Sequence, residues 1–162
     1  MIYIGYTHYY YRNETKHDSG KFAAFVADVK KVLALVKKQG IAIAGGNGKG
    51  KPVVNDGLIS FNGSEKGGED HETLYIERDG VENFNFCKTA RKPYDTAVVA
   101  TLVLYKKHFP CVKFSSDGDK EEIRDGVELA AKVLDIEIAV DEGDKGFIFE
   151  YYNKDDDTPV VI

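Results

Sequence analysis

Ile2-Tyr3-Ile4-Gly5-Tyr6-Thr7-His8-Tyr9-Tyr10-Tyr11 opens the chain with aromatic and β-branched residues, the composition of a strand. Period two places Ile2, Ile4, Tyr6, His8 and Tyr10 on one face of it. A polar, turn-like stretch from 13 to 20 follows. Phe22, Phe25, Val29, Val32, Leu33 and Val36 then recur at spacings of three and four, which makes an amphipathic helix over about 19 to 39. Asp18 or Ser19 can accept hydrogen bonds from its first-turn amides, and Gly40 can take the left-handed conformation that ends it.

Working outward, 41 to 44 is a short apolar run, and 58 to 62, 73 to 77 and 84 to 87 alternate as strands do. Asp79-Gly80 is a frequent hairpin pair, so an antiparallel meander is the simplest wiring of these strands. Pro93 suits the first turn of a second helix that runs to about 108. A strand at 112 to 115 leads into a third helix over about 119 to 134, with Asp119 and Glu122 at capping-box spacing. Segments 136 to 140 and 147 to 152 add strands, and the tail after about 153, with Asp155, Asp156 and Asp157, reads as solvated and loosely ordered. The expectation is one α+β domain over 1 to 162, with about three helices packed on one side of a mainly antiparallel sheet.

The composition agrees. The 162 residues are 43% hydrophobic and carry a formal net charge of -5, enough chain for one core. An acidic balance argues against a surface built wholly to grip nucleic acid or anionic lipid, so no extended nucleic acid is expected as a partner. The longest apolar runs are too short and too polar to cross a bilayer. A soluble, cytoplasmic protein is expected, in the host cytoplasm if it is viral, with no membrane partner, no cofactor and homo-oligomer formation left open. Cys87 and Cys111 are too few for a disulfide framework or a zinc site and read as reduced thiols.

Gly45-x-x-x-x-Gly50-Lys51 resembles a phosphate-binding loop until Pro52 stands where a Ser or Thr is required, and no helical stripe follows. It reads as a surface loop. Chemistry concentrates instead in Asn85-Phe86-Cys87-Lys88-Thr89-Ala90-Arg91-Lys92-Pro93-Tyr94-Asp95. Lys88, Arg91 and Lys92, with Thr89 among them, stand immediately before a helix start that already carries partial positive charge. A bound anion, naturally a phosphate, would answer both. Solvated or internally paired cations are the alternative.

His8, Asn62, His71 and Asp117 lie beside strands and can orient the rest of a ligand. His71-Glu72-Thr73 supplies half of the two-histidine phosphoesterase signature, with no second His-x-Thr or His-x-Ser to complete it. His8, His71, Glu72 and Asp117 lack the close pair of ligands diagnostic of a metal site, and none is expected. Cys87 reads as a buried hydrophobe rather than a nucleophile. The five tyrosines of the first eleven residues either pack the core or form a stacking platform for a base.

Several of these segments together resemble a family of small uncharacterised bacteriophage proteins that begin with a Tyr-Thr-His-Tyr segment. They are Tyr6-Thr7-His8-Tyr9, Phe61-Asn62-Gly63, His71-Glu72-Thr73, the long Phe84-to-Asp95 motif and Ser115-Ser116-Asp117-Gly118. The resemblance implies a viral context rather than a reaction. The leading expectation is a protein that binds a phosphorylated, nucleotide-like small molecule and so sequesters a host signalling nucleotide. The alternatives are a hydrolase, such as a phosphodiesterase, acting on that ligand class with His71 or His8 as acid or base, and an inhibitor of a host protein.

Overall fold

The computed structural model describes residues 5–81 and 83–160. In chain order the elements are β1 (Thr7–Tyr11), α1 (Ser19–Lys38), β2 (Ile43–Ala44), β3 (Val53–Asn55), β4 (Leu58–Gly63), β5 (Leu74–Glu77), β6 (Phe84–Lys88), α2 (Asp95–His108), β7 (Lys113–Ser116), α3 (Arg124–Leu134), β8 (Glu137–Gly143) and β9 (Gly146–Tyr152). The three helices and antiparallel strands make an α+β fold. The first residues of the expected opening strand, 2 to 4, lie outside the described residues.

α1 follows its stripe: Phe22, Phe25, Val26, Val29, Val32 and Val36 are buried, and Asp18 caps the helix by accepting from the Lys21 amide at 2.8 Å. α2 is the central element. Residues 97–105 are buried without interruption, because α1, α3 and β7 all pack against it. Gly126 lets α3 approach closely, since a Cβ there would lie 2.4 Å from the Cβ of Val99. The anticipated capping box at Asp119 forms a turn, with its carboxylate accepting from the Glu121 and Glu122 amides, and the regular helix begins after it.

The strands fall into three sheets. β1 lies between β6 and β7, antiparallel to both; β4 pairs with β2, β3 and β5; β8 and β9 form a hairpin. This corrects the meander expected across 73 to 87. β5 and β6 belong to different sheets, and Asp79-Gly80 turns no hairpin between them. The connection is held elsewhere: the Gly80 amide donates to Thr15 O, and the Arg12 amide to Asn83 O. The buried Arg12 guanidinium adds bonds to the carbonyls of Glu14, Thr15, Glu77 and Arg78. β3 is a strand in a stretch whose reading offered only loop. The glycine-rich loop before it opens into β3 and not into a helix. After β9, the chain folds back so that the Val160 amide reaches Tyr151 O. Among the described residues no helix is long and apolar enough to cross a membrane.

Candidate functional site

Register divides the residues of β6, β1 and β7 between two faces. One row across the sheet is Cys87, His8, Ser116, and another is Asn85, Tyr10, Phe114. Of these, His8, Tyr10, Cys87 and Phe114 are buried against the helices and the β8–β9 hairpin. His8 is fully buried with both ring nitrogens engaged. Its Nδ1 lies 2.8 Å from Ser116 Oγ and its Nε2 2.6 Å from Asp95 Oδ1. The same carboxylate oxygen accepts from Thr89 Oγ1 at 2.5 Å. Asp95 is the first residue of α2, where the helix favours a negative charge. One ring nitrogen thus faces the carboxylate and the other the serine hydroxyl, which can donate to it or accept from it.

Tyr6 closes one side of this network, edge-on to the imidazole at 4.9 Å between centroids. Burial, and then the charge of Asp95, push its hydroxyl up to about 12, so it stays a neutral donor at physiological pH. Gly118 is required beside it, because a Cβ there would lie 2.3 Å from the Tyr6 hydroxyl. Asp117 holds the strand ends through bonds from the Thr7 amide and the Tyr9 hydroxyl.

The three cations before α2 diverge. Arg91 stacks 4.1 Å above the Tyr6 ring and donates to Glu122 at 2.7 Å. Lys92 donates to Gly68 O, and Lys88 lies against Gly5. Ala90 and Arg91 both take left-handed backbone conformations, with φ of 52° and 58°, which turns the arginine onto the tyrosine. The charge nearest the helix start is the protein's own Asp95.

Asn62 is fully buried and knits its own neighbourhood together. Its side chain accepts from the Gly63 and His71 amides and donates to His71 O and Thr73 Oγ1. His71 is separate from His8: exposed, it lines an open groove of about 590 Å³ with Asn47, Thr73, Phe84 and Phe86. Glu72 ties this groove to β6, its amide donating to Lys88 O and its carboxylate accepting from the Lys88 amide. Burial pushes the Cys87 thiol up, which leaves it a packed, unreactive group. Cys111 is exposed and free. Among the described residues no group of three His, Cys, Asp or Glu side chains is placed to hold a metal.

The opposite face of the same sheet carries the row Phe84, Tyr11, Lys113 beside the row Phe86, Tyr9, Ser115. Phe84 and Phe86 are 53% and 55% exposed, and the Tyr9 and Phe84 rings stack at 6.3 Å and 21°. Lys113 Nζ stands 5.3 Å over Tyr11. Beyond Tyr11 opens a cleft of about 650 Å³ whose lining includes Lys106, Lys113 and Lys145. Sequence reading had left the tyrosines between core and platform, and the structure divides them, with Tyr6 and Tyr10 buried and Tyr11 exposed. It had not singled out Phe84 and Phe86, nor joined Asp95 and Ser116 to His8. No protein-family model, curated protein or solved structure matches the chain.

Proposed function

We propose that this protein binds a phosphorylated, nucleotide-like small molecule on the outer face of the β6-β1-β7 sheet, holding it without turnover as a phage-type protein that sequesters a host signalling nucleotide would. The observation that carries the reading is the block of exposed Tyr11, Phe84 and Phe86 with half-buried Tyr9 among them. Base stacking on such rings is worth about 1–3 kcal/mol each and tolerates any base. The flat aromatic surface passes at Tyr11 into the cleft with Lys113 and Lys145, where a phosphate meets cations. On the opposite edge His71, in the groove lined by Phe84 and Phe86, offers a polar contact to base or sugar. Lys88 shares this face through its register with Thr7, whereas Arg91 and Lys92 have internal partners.

Mass spectrometry of small molecules released from the purified protein, followed by calorimetric titration with the nucleotide found or with a panel of mononucleotides and cyclic dinucleotides, tests the reading. Binding that weakens at least tenfold in Phe84→Ala and Phe86→Ala is expected, with the ligand recovered unchanged. No released nucleotide and no heat with any of the panel at millimolar concentration would sink it.

A further inference from the structure

On the inner face of the same sheet, Ser116 Oγ, His8 and Asp95 stand in the order nucleophile, base and carboxylate, linked by contacts of 2.8 and 2.6 Å. We infer that they form a hydrolytic triad acting on small, uncharged or cationic carboxylic esters. This activity is independent of nucleotide binding on the outer face. Three observations beyond the linear contact support it. First, the orientation of the ring fits: Nε2 faces the Asp95 carboxylate and Nδ1 the serine hydroxyl, the placement in which a proton on Nε2 leaves Nδ1 to accept from the serine. Second, Asp95 is positioned twice over, by Thr89 Oγ1 and by its place at the start of α2, which holds its carboxylate against the imidazole. Third, the serine is not sealed in the core. It lines a cavity of about 210 Å³ together with Gly118, Gly146, Phe147, Glu142 and Asp144.

That cavity sets the substrate class. Its volume admits a short acyl group, and Phe147 gives it an apolar wall. Its lining holds Glu142 and Asp144 and no Lys or Arg, since Lys145 of the same turn lines the neighbouring cleft instead, so uncharged and cationic esters are favoured over anionic ones. The hairpin turn that carries these acids is seated firmly on β7, since a Cβ at Gly146 would lie 2.3 Å from Phe114 O.

The reaction balances with water as the only co-reactant. As Ser116 Oγ forms its bond to the ester carbonyl carbon, its proton passes to His8 Nδ1, and the carbonyl π electrons move onto oxygen. The Gly118 amide donates to Ser116 Oγ at 3.0 Å and so fixes the hydroxyl beside the ring, and the neutral Tyr6 hydroxyl, beside the same turn, is the donor proposed for the developing oxyanion. Collapse breaks the bond to the alkoxy oxygen, which takes the proton from Nδ1 and leaves as the alcohol. Water then attacks the acyl-serine and gives a proton to Nδ1. Release of the carboxylic acid returns that proton to Oγ.

The test uses the full chain and an uncharged fluorophosphonate probe, read by intact-protein and peptide mass spectrometry beside hydrolysis of p-nitrophenyl acetate. The expected result is a single phosphonyl adduct on Ser116, absent in Ser116→Ala and retained in Ser115→Ala. Ester hydrolysis should fall at least a hundredfold in Ser116→Ala, and in Asp95→Asn through kcat with KM little changed. Wild-type protein with a normal melting transition that takes up no probe where a control serine esterase is fully labelled would overturn the inference, as would a Ser116→Ala variant that hydrolyses the ester at the wild-type rate. Because labelling is read on the wild type, a variant that fails to fold does not blunt the test. Nucleotide titration of Ser116→Ala keeps the two readings separate.

Discussion

The two faces of the β6-β1-β7 sheet are built from alternate residues of the same three strands, yet they solve opposite problems. The inner face buries a histidine completely and satisfies both of its nitrogens. The outer face leaves more than half the surface of two phenylalanines in water. Neither arrangement is what stability alone would choose. Taking an imidazole and a carboxylate out of water carries a desolvation cost that an apolar pair would not, and each Å² of aromatic surface left exposed forgoes about 25 cal/mol of burial. The two departures lie back to back across one sheet, and that is why both are assigned to function.

Breaking the inner face should have the larger effect. In His8→Ala, the Asp95 carboxylate loses its buried partner and Ser116 its neighbour, and a loss of about 3–5 kcal/mol is expected. Urea unfolding, read as a shift in midpoint at constant slope, measures it. A loss below about 1 kcal/mol would show that the network is solvated in solution and would erase the contrast between the faces. Next comes Gly118→Ala, whose Cβ would meet the Tyr6 hydroxyl at 2.3 Å. Displacing that ring from beside His8 should cost about 1–3 kcal/mol by overpacking, and Tyr6→Phe in the same chain should recover part of it.

Much of this architecture was legible in the residues. α1 could be read because its buried stripe and its Asp18 cap agree, and β1 because period two put Tyr6, His8 and Tyr10 together on what proved to be the buried side. Strand pairing was not legible. Asp79-Gly80 has the chemistry of a hairpin, but Arg12, distant in sequence, fixes the carbonyls on either side of that turn, and local turn chemistry carries no record of such a contact. β6 was legible as a strand but not in its faces. In Phe84-Asn85-Phe86-Cys87, hydrophobicity favours burying the phenylalanines, and the structure buries Cys87 and exposes them. Asp95 ends the motif before α2, but its link to His8 spans 87 residues. The anion expected before α2 was inferred from a cluster of charges without their directions, and these diverge: Arg91 turns to Glu122, Lys92 to Gly68 O, and Lys88 lies along Gly5.

A smaller effect separates the two buried histidines. His17 lies in the aromatic core beneath α1 and α2, with Nε2 against the Tyr105 hydroxyl and Nδ1 against Glu14. Burial holds its pKa below the ordinary 6.5. The unfolded chain therefore takes up a proton there before the folded one does, and stability present above about pH 6.5 is lost as pH falls through the window beneath it. Melting temperatures from pH 7.5 to 5 should decline, and His17→Gln should flatten that slope. An unchanged slope in the variant would move the pH dependence to another group.

The smallest expected change in stability belongs to the outer face, and there its smallness is the point. Phe86→Thr keeps a residue that favours strands, removes a ring that already stands 55% in water, and leaves the β1 register opposite Tyr9 intact. The shift in unfolding free energy should stay within about 0.5 kcal/mol. If the ring is there only to pack, truncation must lose the burial its covered half provides, and the cost rises above about 1 kcal/mol. If it is there to receive a ligand, stability holds while nucleotide affinity falls. Calorimetric titration and urea unfolding on one preparation of Phe86→Thr thus measure the quantity on which the two faces differ: truncation inside the sheet costs the folded state heavily, and truncation outside it costs the ligand alone.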